Sequence, residues 1–308
     1  MSAETESDAG TAAGTGNSRA EASGNGFLTD TWVNLKRWML KTARNPFVLT
    51  FSLLNPLMFL VLFTEVFGGV TGGAIGGSVG ADVNYTTYLV PAIAIQVSLV
   101  SATTSGIGLV EDIESGMFEK ALVSPMHRGA VFLGKSLSEV LRIVVQVCIV
   151  LTFGYVLLWL DTGGNTGPYV ATGLPGAVGI VVVGIVFSVW FTAFSNIMAL
   201  VTRDQESTML SVNILQFPLL FLSSAFLPLE SLPGWVRVVA SLNPITYGID
   251  AARALMFGRD VMSVVEVTAF GGVWNTLVPA LAVLVTLDIA FGAVAVYYMA
   301  RATSAEAR

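Results

Sequence analysis

The chain has 308 residues, 54% of them hydrophobic and 12% charged, about half the charge share of an ordinary soluble domain. With a mean hydropathy of +0.74 it reads as an integral membrane protein, because one water-soluble core cannot hide that much apolar surface. A single cysteine, Cys148, and a single histidine, His127, exclude a disulfide framework and cysteine- or histidine-built metal clusters, and a net charge of −6 argues against a nucleic-acid partner.

Residues 1–26 contain Gly, Ala, Ser, Thr and acids, with no large hydrophobe after Met1. Such a segment buries too little to offset its ordering entropy, so it reads as a disordered acidic tail without the pattern of a secretory leader. Residues 27–44 are different. Leu28, Trp32, Leu35 and Met39 recur at helical spacing beside Trp38, interleaved with Lys36, Arg37, Lys41 and Arg44. This pattern predicts an amphipathic helix lying in the headgroup plane.

Six apolar stretches follow, at about 47–67, 86–108, 135–160, 175–201, 208–228 and 275–300. Each is long enough for the roughly 20 residues a bilayer needs, so the expected fold is an all-α membrane protein with a six-span domain over 45–301 and a short tail at 302–308. The third stretch begins with Lys135, Glu139 and Arg142 on one face, which should look toward protein or headgroups. Small residues in the fourth (Gly176, Gly179, Gly184, Ser188, Thr192, Ser195) predict close helix contact.

Six spans put both ends on one side. With the ends inside, the inner flanks hold Lys36, Arg37, Lys41, Arg44, Lys120, Arg128, Lys135, Arg203 and Arg301; the outer segments hold Arg237, Arg253 and Arg259. The imbalance predicts cytoplasmic termini in a multi-pass plasma-membrane protein. Loops 68–80 and 161–174 and the long segment 229–274 then lie outside. That segment predicts two short helices. Ser231 caps the first, with Pro233 near its first turn and Trp235, Val238, Val239 and Leu242 on one face. Asn243-Pro244 breaks it, and a second helix at about 245–257 carries Tyr247, Asp250 and Arg253.

Three features carry chemistry. Gly129 to Ser136 matches the phosphate-loop pattern GxxxxGK[ST], yet Pro125-Met126-His127-Arg128 precedes it and a span follows. The strand–loop–helix context is missing, so nucleotide binding is not expected there. Segment 109–130 is the largest inner connection. Its patch of Met117, Phe118, Ala121 and Leu122 beside Glu114, Glu119 and Lys120 suits either docking to a partner or packing beneath the bundle. Asp288 sits 13 residues from Arg301, about 20 Å along a helix and near the bilayer midplane. It reads as a cargo-path lining, a proton or cation site, or a buried acid hydrogen-bonded to Gln146 or Asn196. No catalytic constellation stands out.

Residues 114–137, with Glu114, Gly116, Glu119, Leu122, Ser124-Pro125, Arg128 and Leu133-Gly134-Lys135, resemble the first cytoplasmic loop of ABC-2 type permeases. These are membrane subunits of ATP-binding-cassette exporters, including the daunorubicin-resistance type. Residues 226–253, with Phe226, Pro228, Leu232-Pro233, Trp235, Asn243-Pro244, Tyr247, Asp250 and Arg253, resemble the outer segment before that family's final span. The order of elements over about 27–301 is similar as well. The resemblance implies a dimer of six-span units, each copy pairing with itself or a paralogue. Separate ATP-binding subunits would dock on Glu114, Gly116, Met117, Phe118, Glu119 and Leu122 and drive a drug, lipid or lipid-linked glycan outward. ATP and magnesium would be bound by that partner, and no cofactor by this chain. Two other readings stay open: an ATP-independent cation- or proton-coupled transporter or channel using Asp288, and a non-transporting membrane scaffold.

Overall fold

The computed structural model describes residues 26–44, 46–68, 83–117, 120, 127–164, 166–265 and 267–305. Within them every regular element is helical. In chain order these are α1 (Phe27–Arg44), α2 (Pro46–Phe67), α3 (Tyr85–Glu114), α4 (Arg128–Asp161), α5 (Gly173–Thr202) and α6 (Gln205–Phe221). A 3-10 turn (Leu229–Ser231) leads to α7 (Gly234–Leu242), α8 (Pro244–Phe257) and α9 (Trp274–Ala305). The end of the bundle that carries α1 is called the near end, and the opposite one the far end.

Local chemistry sets many of these boundaries. The Asn84 side chain accepts the Thr86 N–H at 2.9 Å and starts α3; Asp204 accepts the Ser207 N–H at 2.8 Å and starts α6. Gly258 closes α8 in the left-handed conformation at φ 67°. Asn243 closes α7 and opens α8, its side chain accepting the Ile245 N–H. The expected cap at Ser231 is corrected: Ser231 completes the 3-10 turn, and Pro233 stands at the start of α7 with no side-chain bond.

Helix α3 is the axis of the molecule. It packs against α2, α4, α5, α6 and α8, and 78% of its apolar window is buried, against 17% for α2 and for α9. Its tightest crossing is with α5. A Cβ on Gly106 would lie 2.5 Å from the Ser195 carbonyl oxygen, and one on Gly184 2.7 Å from Ser98 Oγ. The small residues of the fourth stretch thus admit α3 to close backbone approach.

Among the described residues, five helices are long and apolar enough to cross a membrane: α2, α3, α4, α5 and α9, over Thr50–Phe67, Tyr85–Glu114, Leu133–Asp161, Gly173–Thr202 and Trp274–Tyr298. The stretch expected to span at 208–228 takes another form. Helix α6 has 17 residues, about 25 Å at 1.5 Å per residue and short of a 30 Å hydrocarbon core. It ends at Phe221, and residues 222–228 continue without helix. Irregular backbone at such depth is tolerated where protein satisfies its polar groups, and here it does. Asn243 Nδ2 donates to the carbonyls of Leu219 and Leu222, Arg253 Nη2 to Ala225 at 2.9 Å, and Tyr85 Oη to Phe226 at 3.1 Å.

Candidate functional site

At the near end, α3 stops at Glu114. Ser115 caps it, and Gly116 turns the chain in the left-handed region at φ 67°, with open space where a side chain would begin. Glu114 accepts a hydrogen bond from Gln205 Nε2 at 2.6 Å, tying the end of α3 to the start of α6. Met117 beyond the turn is 37% exposed. Phe118, Glu119 and Leu122, the remaining docking candidates, lie outside the described residues.

Helix α1 braces this end with an inverted surface. It buries Asp30, Thr31 and Asn34 against α4 and leaves Leu28 80% and Trp32 64% exposed. A helix that puts polar residues inward and apolar ones outward suits a lipid surrounding. Asp30 Oδ2 accepts from the His127 backbone N–H at 3.0 Å and faces its ring Nδ1 at 3.1 Å. These contacts, the backbone N–H first, hold the Asp30 carboxyl below the usual aspartate range. Arg37 and Lys41 both reach Asp112 at 3.0 Å, and Lys41 also reaches Glu111 at 3.1 Å. The guanidinium of Arg37 and the ammoniums of Lys41 and Lys135 lie 5.2, 4.7 and 5.4 Å from the centre of the Trp38 ring.

The Gly-Lys motif finds its role in this interface. All of Gly129–Ser136 lies in helix α4, with the Ala130 and Val131 N–H groups donating to the His127 carbonyl, where a phosphate loop would be a turn ahead of its helix. Gly134 is where α4 crosses α1: a Cβ there would lie 2.6 Å from Asn34 Cβ, 2.8 Å from the Thr31 oxygen and 2.9 Å from the Leu35 nitrogen. Lys135 is buried, donating to the Ser105 carbonyl at 3.2 Å and to Asn196 Oδ1 at 3.3 Å. Arg142 donates from Nε and Nη2 to Ser101 at 2.9 and 2.6 Å. The polar face Lys135–Glu139–Arg142 therefore looks into the protein, as its composition predicts.

At the far end the outer-segment residues converge on the unwound 222–228 stretch. Arg253 lies with its guanidinium 3.6 Å over the Tyr88 ring and donates from Nε to the Tyr88 carbonyl at 3.2 Å. Asp250 sits 4.0 Å from Arg253 Nη1; it accepts from Ser224 Oγ at 3.2 Å and from the Ser263 N–H at 2.9 Å. Both side chains are almost fully buried. Tyr247 Oη donates to the Ser241 carbonyl at 3.0 Å and fixes α8 to α7. Asn243 is buried as the joint of α7 and α8, with Pro244 opening α8. Pro228 starts the 3-10 turn; Pro233 and Trp235 are exposed, Trp235 at 66%. Helix α8 goes deeper than an interfacial helix. Gly248 meets Phe187, 14 residues into α5 and so about 21 Å along it. Beside the Asp250–Arg253 pair lies a cavity of about 600 Å3, walled on its other side by residues 260–265, Val267 and Thr268, within the usual range for ligand pockets.

Asp288 stands midway along α9. Its Oδ1 is buried with no hydrogen-bond partner among the described residues, as is Trp190 Nε1 of α5. The partners expected for it are engaged elsewhere: Gln146 donates to Ser52, and Asn196 accepts from Lys135 and Ser105. Sequence reasoning missed Tyr85, Tyr88, Ser101 and Asp112 as network members. Their only sequence signal was a polar or aromatic residue inside or next to an apolar run.

The description "ABC-2 type transporter" belongs to the family model that matches residues 29–257. A daunorubicin resistance ABC transporter permease protein of Streptomyces coeruleorubidus is 28% identical over 56% of this chain and 58% of its own length. A putative transport permease of Cyanophora paradoxa is 26% identical over 74% of each chain. A probable doxorubicin resistance ABC transporter permease of Mycobacterium tuberculosis is 24% identical over 77% of this chain and 80% of its own. The family match runs from α1 through the near-end network to the last residue of α8, and so takes in both polar centres: the chain belongs to the ABC-2 type transporter family.

Proposed function

We propose that this chain is the permease subunit of an ABC exporter, moving a hydrophobic or amphipathic cargo (a drug, a lipid or a lipid-linked glycan) outward. The near end is cytoplasmic in a plasma membrane, and a separate ATP-binding subunit docks on the segment after α3. That subunit binds ATP and magnesium; the permease works as a dimer, with itself or a paralogue, and hydrolyses nothing. The observation that carries this reading is the near-end geometry. The connection from Ser115 to His127 is the longest at that end, since Arg203 and Asp204 alone join α5 to α6. It leaves α3, the axis of the bundle, through a glycine turn and presents exposed Met117. A push received there reaches α3 directly.

The test is recovery of the ATP-binding subunit with the tagged permease, alongside cargo export. Phe118→Ala should lower recovery, since an apolar interface anchor carries about 2 kcal/mol. Glu119→Lys should impair export more than Glu119→Gln. Full recovery and full export in all three variants would place docking elsewhere. Lys135→Ala should leave nucleotide binding by the isolated permease at background. A second reading, ion-coupled transport without ATP, draws on the unpartnered Asp288 Oδ1. Asp288→Asn that folds normally but exports nothing would favour it.

A further inference from the structure

Between α1, α2, α3 and α4 at the near end lies a cavity of about 130 Å3. That is well below the roughly 300–1,000 Å3 of pockets for drug-sized molecules, so it is no cargo chamber. Four charged side chains line it. Lys41 and Glu111 form its rim, with side chains 35% and 54% exposed. Glu139 and Arg142 lie deeper, Glu139 at 13%.

The two deep groups are incompletely used. The Glu139 carboxylate has Lys135 Nζ at 3.9 Å, beyond hydrogen-bond reach, and accepts no hydrogen bond among the described residues. A carboxylate this enclosed gains from a donor seated in the cavity it lines. Arg142 commits Nε and Nη2 to Ser101 and has no hydrogen-bond partner for Nη1 among the described residues. The cavity thus offers an acceptor wanting a donor and a cation with a free arm, side by side. Around them stand Arg37, Lys41, Lys135 and Arg142 against Glu111, Asp112 and Glu139. One positive charge is left over, which favours an anion. The cavity also borders α1, whose outward apolar face marks the height of the lipid headgroups.

We infer that this cavity binds the headgroup of an anionic phospholipid that carries hydroxyls, a phosphoglycerol, from the leaflet on the α1 side. The phosphodiester oxygens accept from Arg142 and Lys41, and a glycerol hydroxyl donates to Glu139. The lipid is a bound component of the joint between α1 and α4, separate from the cargo.

The full-length permease is reconstituted in nanodiscs holding equal parts phosphatidylglycerol, phosphatidic acid, phosphatidylethanolamine and phosphatidylcholine, and retained lipid is counted by native mass spectrometry. Phosphatidylglycerol should be retained over phosphatidylcholine about tenfold, equal to about 1.4 kcal/mol. Glu139→Ala should erase the preference for phosphatidylglycerol over phosphatidic acid, and Arg142→Gln should lower retention of both. Should Arg142→Gln not fold, Gly108→Leu, which fills the cavity beside Trp38, gives the same test through retention alone. Equal retention of the four lipids, a preference for phosphatidylethanolamine, or phosphatidylglycerol retention unchanged in Glu139→Ala and Gly108→Leu would overturn the assignment. Displacement of the lipid by free glycerol 3-phosphate at millimolar concentration would show a soluble phosphate to be the ligand, and would overturn it as well.

Discussion

The two ends of the bundle differ in the ion pairs that hold them. At the near end, the Arg37–Asp112 and Lys41–Glu111 pairs run between helices on long side chains about a third or more exposed on at least one partner. Such pairs contribute about 0–1 kcal/mol each, and water can stand in for either partner. At the far end, Arg253 and Asp250 are buried, and their hydrogen bonds go to backbone carbonyls and to serines of neighbouring segments. Nothing there can be exchanged for water without leaving a buried group unpaired. The near end can therefore re-sort its ion pairs while α1 and α3 shift. The far end ties α8 and residues 222–228 together. On the proposed function, a push delivered near α3 meets first the contacts that are cheap to remake.

The largest expected effect is at Arg253. Arg253→Met strands the Asp250 carboxylate and frees the Ala225 and Tyr88 carbonyls, a loss of about 3–5 kcal/mol, the usual cost of breaking a buried pair. Thermal unfolding in detergent reads it, and Asp250→Asn combined with Arg253→Met should recover part of the loss. A harmless Arg253→Met would break the contrast. Gly134→Leu comes next. It wedges α1 from α4 and should cost about 1–3 kcal/mol by overpacking, with α1 becoming sensitive to protease near Arg44. Arg37→Gln should cost less than about 1 kcal/mol on the same assay, because Lys41 still holds Asp112. The smallest effect concerns pH. Asp30 has its carboxyl lowered by the His127 N–H, so its contribution is complete above the ordinary aspartate value of about 3.9 and is lost only as pH falls through the lower native value. With the facing imidazole removed by His127→Gln, which keeps the backbone N–H, hydrogen exchange of α1 should therefore show no Asp30-dependent change between pH 7 and 5, measured with and without Asp30→Asn.

Much of the fold was legible because periodicity and punctuation are local. The helix expected at 27–44 is α1, and Asn243-Pro244 marks the α7–α8 joint. The fifth crossing was not legible. An apolar run continuing through Ser223 and Ser224 looks like span, and its unwinding depends on Asn243, Arg253, Tyr85 and Tyr88, which come from elsewhere in the chain. The Gly134-Lys135 pair was read as a match to the phosphate-loop pattern out of its context, and its partners, Asn34 and Asn196, are set by helix crossings no local pattern encodes. The neighbours of Asp288 were not legible for the same reason: Gln146 and Asn196 match it in polarity, and the packing assigns them to Ser52, Lys135 and Ser105. The docking patch divides at Met117, beyond which Phe118 and Glu119 fall outside the described residues.

The inverted surface of α1 carries a consequence for how the molecule is made. In its polar seam Thr31 and Asn34 donate to the Phe27 and Asp30 carbonyls of α1 itself, Asp30 is paired by His127, and the Asp30–His127 contact joins residues 97 positions apart. On a growing chain α1 emerges ahead of α4 and can reach the bilayer surface before that partner exists. In that interval its apolar side can rest in the lipid while Asp30, Thr31 and Asn34 face water. When α4 arrives it takes the watery side and leaves the lipid side as it was. A helix with its apolar face turned outward can wait at the membrane for a partner synthesised about a hundred residues later.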